Sequence, residues 1–225
     1  MASSQYRDIA FPEAIQIIKS RLDNYRANQI SINGAIPAAV MILIVNMKNI
    51  PHVLFTKRTE LVETHKGQIS FPGGAQDPPD KNLLQTAIRE TEEEIGIKPD
   101  KIEVLGQLDD FLTITDFLIR PFTGILQPPL KFRLSEDEVD EVFQAPLSLF
   151  LEESHFEVKK WEHAGRHYDV YFYTYQNHVI WGATAFILNH FIDVVFGYNP
   201  APNPIYRDPR NLSYLRENRH RGGKK

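Results

Sequence analysis

At 225 residues, with 42% hydrophobic and 24% charged side chains, the chain is long enough for one domain with a substantial core and an appended arm. A net charge of -4 and a pI near 6.1 supply no global attraction to nucleic acid or to an anionic membrane. The absence of cysteine excludes disulfides, thiolate metal sites and cysteine nucleophiles, and it agrees with a reducing, cytoplasmic setting.

The opening MASSQYRDIAFPEAIQ carries charges at Arg7 and Asp8 and no unbroken apolar run, so it does not read as a signal peptide. Over residues 12–25, Ile15, Ile18, Leu22 and Tyr25 recur at helical spacing behind Pro12 and Glu13. This predicts an amphipathic helix serving as a packing arm or a dimer element. The run from Ala35 to Val45 is too apolar and branched for a surface strand and predicts a buried central one, too short to span a membrane. Asn46–Asn49 reads as a turn and HVLFTKR as the returning strand of a hairpin. Residues 66–80 hold Gly67, Pro72, Gly73, Gly74, Pro78 and Pro79 and predict a structured loop. A helix follows from about Asn82, with Leu83, Leu84, Ala87, Ile88 and Ile95 as its apolar stripe and Gly96 as its C-cap. Further strands are expected at IEVLGQL, FLIRPFTGIL and DVYFYTY, and a second, more buried helix from Trp181. Together these predict an α/β fold, a mixed sheet with helical layers on its faces. From Gly197 the chain carries four prolines and seven Lys/Arg against two acids, which predicts a mobile or surface-wrapping tail, or a basic arm reaching an anionic ligand or another subunit.

The densest chemical signal is Arg89-Glu90-Thr91-Glu92-Glu93-Glu94-Ile95-Gly96. At helical spacing Glu90, Glu93 and Glu94 share one face, opposite Ala87, Ile88, Thr91 and Ile95. Three carboxylates so close repel one another unless a cation compensates them, and hard oxygen donors of this kind suit Mg²⁺ or Mn²⁺. A glutamate run alone is more often a solvated, inert helix face. Here it follows Phe71-Pro72-Gly73-Gly74 at a short fixed distance, and that turn permits close backbone approach to a diphosphate.

These residues resemble the box of the Nudix hydrolase superfamily, G-x5-E-x7-R-E-U-x-E-E-x-G-U, where U is a bulky apolar residue. The half from Arg89 to Ile97 matches, with Thr91 at the first U position. The other half departs from the pattern: Asp80 stands where the box has Glu, with eight residues between it and Arg89 instead of seven. Leu54 to Gly74 resembles the longer motif of coenzyme A pyrophosphatases of this superfamily, in register at Leu54, Thr56, Arg58, Gly67 and Phe71–Gly74. Thr59 replaces a small residue of that motif, and Glu63 stands where it has Arg. Ser135–Val139 and Trp181–Ala185 are similar to the same subfamily.

The resemblance implies a Nudix-type α/β/α sandwich over residues 35–196, between a lead-in at 1–34 and the tail at 197–225. It implies Mg²⁺ or Mn²⁺ held by Glu90, Glu93, Glu94 and the Gly74 carbonyl. The general base would be Glu93 or Glu138, with Arg89 holding a box carboxylate through a bidentate pair. Arg58, Gly73, Gly74, Gln68 and Ser70 would bind substrate, with Lys57 and Lys66 as further candidates for a phosphate. The implied reaction splits coenzyme A into 3′,5′-ADP and 4′-phosphopantetheine. Glu63 leaves ADP-ribose, NADH and dinucleoside polyphosphates open as substrates, and a non-catalytic nucleotide-binding module is a further alternative. RNA-end processing, nucleic acid as a partner generally and a membrane are disfavoured by the charge. A homodimer is expected by analogy. His65 reads as a capping or packing histidine, and Trp181 with the aromatic run Tyr171–Tyr175 reads as core in preference to an adenine platform.

Overall fold

A computed structural model describes residues 3–60, 67–163 and 166–201. In chain order the elements are α1 (Phe11–Asp23), β1 (Ile36–Met47), β2 (Ile50–Arg58), β3 (Ile69–Ser70), β4 (Gly73–Ala75), α2 (Leu83–Ile95), β5 (Ile102–Gln107) and β6 (Phe111–Leu112). They continue as β7 (Phe117–Leu126), β8 (Val139–Pro146), β9 (Phe156–His163), β10 (Arg166–Tyr175), β11 (His178–Trp181) and α3 (Gly182–Phe196). No helix among the described residues is long and apolar enough to cross a membrane.

β1 is the centre of an eight-stranded sheet, as its unbroken apolar sequence requires. It pairs in parallel with β7 along one edge and antiparallel with β2 along the other, so the sheet is mixed. The alternation of β1 and β2 divides the apolar side chains between two layers. Met41, Leu43, Val45 and Leu54 face α2 through Ala87 and Ile95. Ile42, Ile44, Val53 and Phe55 face α1 and α3, through Ala14, Ile18 and Leu22 of the first and Leu188, Phe191 and Ile192 of the second. Full burial of one large apolar side chain is worth about 1.5–3 kcal/mol, and this arrangement secures it on both faces. α1 is therefore part of the core. The segment behind it is tied down by Tyr25 Oη on Asp109 at 2.7 Å, and by the Asn28 and Ile30 N–H groups on Asp109 and Asp110 at 2.8 and 2.9 Å. A second sheet, β9–β10–β11, lies on the α3 side and buries Tyr171, Tyr173 and Ile180 against it.

The hairpin strands do not stay together. β1 and β2 pair from the turn as far as Leu43 and Leu54 and then part. β8 lines the outer edge of β2 from His52 to Arg58 and β7 lines the outer edge of β1, so the gap opens between them. Residues 69–75 enter that gap, β3 pairing with β2 at Thr56–Lys57 and β4 with β1 at Ala38–Val40. The expected loop thus contains two short strands, because the backbone polar groups exposed by the splay must be paired. Gly73 sits there at φ 156°, and a Cβ on it would lie 2.3 Å from the Ala39 carbonyl oxygen and 2.7 Å from Val40 Cα. Backbone on backbone cannot give way.

β8 and β9 carry charges among their apolar residues (Glu141, Glu157, Lys159 and Lys160 among them), which hides their strand pattern in the sequence. The tail beyond Ala201, and Glu63, His65 and Lys66, lie outside the described residues.

Gly73→Ala is expected to lower stability by about 1–3 kcal/mol, the usual cost of overpacking. The melting temperature falls by several degrees, and the variant loses the geometry built on β4. An unchanged thermal melt contradicts the close approach of β4 to β1.

Candidate metal centre and diphosphate site

α2 begins at Asn82, whose side chain accepts from the Gln85 N–H at 3.0 Å, and ends at Gly96, left-handed at φ 73°. Between these caps it lies along β1 and β4. Thr91 is fully buried, and its hydroxyl donates to the Ala87 carbonyl at 2.7 Å, so a polar residue at an apolar position leaves no unpaired group.

The carboxylate half of α2 meets the glycine wedge. A Cβ on Gly74 would lie 2.5 Å from Glu90 Oε1, so the space left by the absent side chain is where the Glu90 carboxylate sits. The Gly73 N–H donates to the Glu94 carboxylate. Glu94 is only 1% exposed, its Oε1 is 3.9 Å from Arg58 Nη1, and its buried Oε2 has no hydrogen-bond partner among the described residues. Arg58 Nε is likewise buried and unpartnered among them. Arg58 closes β2, where its N–H donates to the Gln68 carbonyl and the next N–H, that of Thr59, donates to the Glu138 carbonyl, both at 2.9 Å. Those two bonds bring the Gly67–Ser70 segment and the Ser135–Glu138 turn to the site.

Charge follows from this packing. Burial first, and then the charge of Glu90, push the Glu94 carboxyl up to about 8, with Glu138 adding to the shift and Arg58 and the Gly73 N–H opposing it. Glu90 is raised too, chiefly by burial, with Arg89 pulling it down and Glu93 and Glu138 pushing it up. The field at each of these two carboxyls therefore includes Glu138, on a loop distant in sequence.

Arg89 is anchored on its far side. Its Nε and Nη2 reach the Asp80 carboxylate at 3.0–3.2 Å, and Nη2 also donates to the Ala75 carbonyl at 3.2 Å. Its Nη1 lies 2.7 Å from Glu93 Oε2 and 2.9 Å from Glu90 Oε1. Asp80, its side chain 6% exposed, also accepts from Thr86 Oγ1 at 3.0 Å and the Asp77 N–H at 3.1 Å. Its carboxyl is held below the usual range, mainly by the Arg89 guanidinium.

Several sequence expectations change here. The acidic face is divided: Glu94 is buried, Glu90 is partly covered and Glu93 is 59% exposed on Arg89. Glu90 and Glu93 lean on Arg89, and no three carboxylate or imidazole groups among the described residues are grouped as a ready-made metal cage. The two-pronged partner of Arg89 is Asp80, and the box glutamates take single contacts. The longer box obscured Asp80. The signal for it is a carboxylate just ahead of an Asn cap, with Thr86, Arg89 and Glu93 following on one helical ridge. Ser70 Oγ is 3.1 Å from Thr56 Oγ1, a strand-to-strand contact. Lys57 turns to Asp140 at 2.7 Å. Trp181 leaves the core and stacks on Phe172 at 6.1 Å, on the outer face of the second sheet, while Thr184 Oγ1 ties the start of α3 to the Ile69 carbonyl at 3.1 Å.

The donors present fit a divalent cation. A buried carboxylate oxygen without a partner among the described residues, beside a second carboxylate seated on bare backbone, is a pair of hard oxygen donors whose proximity a cation relieves. A metal bound here would be held by Glu90 and Glu94.

The chain matches the NUDIX domain family over residues 35–163. Nudix hydrolase NudL of Photorhabdus laumondii, described as uncharacterized, is 41% identical over 152 residues, 68% of this chain and 81% of the relative. The NudL of Cronobacter sakazakii, described in the same words, is 34% identical over 178 residues, 79% and 89% of the two chains. Among solved structures, a Nudix hydrolase from Alicyclobacillus acidocaldarius superposes with TM-score 0.44 at 22% identity, over 52% of this chain and 81% of that one. A C. elegans Ap4A hydrolase complex gives 0.43 at 20%, over 50% and 80%. On the domain match and the curated relatives, the chain belongs to the Nudix hydrolases.

A carboxyl raised in the folded state keeps its proton after the unfolded one has lost it, so rising pH favours unfolding across the window between the two values. In EDTA, the melting temperature is expected to fall as pH rises from about 4.5 to about 8 on account of Glu94. Glu94→Gln flattens that slope. A slope equal in both proteins contradicts the burial of an uncompensated carboxyl.

Proposed function

We propose that the chain is a pyrophosphohydrolase that uses Mg²⁺ or Mn²⁺ to cleave coenzyme A, or an acyl-coenzyme A, into 3′,5′-ADP and 4′-phosphopantetheine. The observation that carries the metal-dependent part is the buried, half-unpartnered Glu94 carboxylate facing Glu90 across the glycine wedge. The substrate part rests on the motif from Leu54 to Gly74.

Glu90, Glu93, Glu94 and the Gly74 carbonyl are the proposed ligands. The ion, when bound, neutralises diphosphate charge and acidifies water. Arg58 keeps its buried Nε without a partner among the described residues and stands beside Glu94, which suits it to a phosphate oxygen once that carboxylate is compensated. Gly73 and Gly74 are the proposed backbone contacts to the diphosphate, with Gln68 and Ser70 beside them at the start and end of the segment that leads into β4. Water adds across the bridging P–O–P bond: its oxygen joins one phosphorus, the other phosphate leaves as the second product, and its proton passes to a carboxylate. Glu93 is the first candidate for that base and Glu138 the second, and the Glu138 charge is felt at both Glu90 and Glu94. A cytoplasmic homodimer acting on this small nucleotide is part of the same reading, by analogy with the family, and light scattering on the purified protein tests the dimer. Glu63 favours one second reading, in which the substrate is ADP-ribose, NADH or a dinucleoside polyphosphate.

Product analysis by mass spectrometry tests the proposal, with coenzyme A, acetyl-coenzyme A, ADP-ribose, NADH and diadenosine polyphosphates as substrates and Glu94→Gln as control. Preferential release of 3′,5′-ADP, abolished in Glu94→Gln, is expected. Preference for another compound supports the second reading, and no turnover of any supports a binding module. Of Glu93→Gln and Glu138→Gln, the one that removes the base is expected to lose on the order of 10²–10⁴-fold in kcat. Full activity in both rules out both as bases.

A further inference from the structure

We propose that Thr59 is a positioning residue for the hydrolysis: through its hydroxyl and its N–H it holds the Ser135–Glu138 turn at the end of β2, so that Glu138 stays beside the acidic centre against the repulsion of the like charges there. The inference rests on the reading above in which Glu138 takes the proton from water.

The turn needs such a hold. Glu136, Asp137 and Glu138 are exposed, so apolar packing does not fix its tip. The Glu138 charge raises the carboxyls of Glu90 and Glu94, and the same repulsion acts back on the turn and drives it away from them.

The ladder between β2 and β8 also ends here. Its register slips between Lys57 and Arg58: Lys57 lies opposite Glu141 and Arg58 opposite Val139, so Asp140 is an extra residue in β8. A bulge of this kind bends the strand and re-aims what lies beyond it. Past it, Thr59 bonds two consecutive carbonyls. Its Oγ1 donates to that of Asp137 and its N–H to that of Glu138, each at 2.9 Å. Within the turn, the Glu138 and Val139 N–H groups donate to the Ser135 carbonyl at 2.9 and 2.8 Å, and the Ser135 N–H donates to the Glu94 carbonyl at 3.0 Å. One end of the turn is thus tied to the helix that carries Glu94, and the other to the residue that follows Arg58.

In that set the Thr59 hydroxyl is the side-chain group, and a substitution can remove it while every backbone bond stays. Thr59 is only 8% exposed, and a β-branched side chain has few χ1 positions, so the hydroxyl is held on the Asp137 carbonyl. Valine fills the same space without a donor. Serine keeps the donor.

The test is steady-state kinetics on wild type, Thr59→Val, Thr59→Ser, Glu138→Gln and the double variant Thr59→Val/Glu138→Gln, with whichever diphosphate compound the wild type turns over. A Mn²⁺ titration followed by electron paramagnetic resonance and a thermal melt accompany each, and Thr59→Ala stands in if Thr59→Val does not fold. Thr59→Val is expected to lower kcat by about tenfold, the scale of one net hydrogen bond lost on the way to the transition state, with KM and Mn²⁺ affinity unchanged. Thr59→Ser keeps the wild-type kcat. Thr59→Val adds nothing in the Glu138→Gln background, the signature of action through Glu138. Equal loss in both backgrounds overturns the proposal, because Thr59 then acts without Glu138. A lowered melting temperature with unchanged kcat overturns it in favour of a purely structural role, and weakened Mn²⁺ binding overturns it in favour of a role at the metal. Full kcat in Glu138→Gln overturns the reading of Glu138 as the base, and this inference with it.

Discussion

The Gly73 backbone packs against the Ala39 carbonyl and Val40 Cα at a distance no side chain permits, and the acidic centre depends on that approach. It exists because β1 and β2 part company after Leu43 and Leu54 and leave backbone polar groups that residues 69–75 must satisfy. The same short segment then turns its other side to α2. Gly73 gives its N–H to Glu94, and Gly74 makes room for the Glu90 carboxylate. One backbone feature thus answers a demand of the sheet and positions two carboxylates of the helix.

Around that wedge the charges are arranged unequally. Arg89 is saturated: a buried aspartate holds one edge, a backbone carbonyl shares it, and two glutamates take the remaining nitrogen. Arg58 and Glu94 are not saturated, since they stand 3.9 Å apart and each keeps a buried polar atom without a partner among the described residues. Burial of a carboxyl in that condition costs stability. A fold retains such a cost where the group has work to do with something that arrives from outside, and hard oxygen donors point to a divalent cation and the phosphates it accompanies.

The central part of this arrangement was legible in the sequence. The unbroken apolar run of β1, the strand at Phe117–Leu126 and the capped helix with three glutamates at helical spacing all stand where their patterns place them. What the pattern did not carry was decided by tertiary contact. The strands within residues 69–75 exist only because the hairpin splays. β8 and β9 mix charges with apolar residues because each lies at a sheet edge. The burial of Glu94 runs against the rule that a glutamate row faces water, and no periodicity reveals it. Asp80 escaped the box pattern by one residue of length and one methylene, although its Arg89 contact is the best-satisfied ion pair at the site. The aromatic run divides by strand alternation: Tyr171 and Tyr173 join the core, while Phe172 and Trp181 stack outside it.

The claim that the glycine wedge and the acidic helix together make a divalent-cation site is tested most directly by anomalous diffraction from crystals grown with Mn²⁺. The account predicts a manganese peak within coordinating distance of Glu94 Oε2 and a Glu90 carboxylate oxygen, and its loss in Glu94→Gln crystals. A peak elsewhere, or no peak at this position at a Mn²⁺ concentration that supports activity, contradicts it.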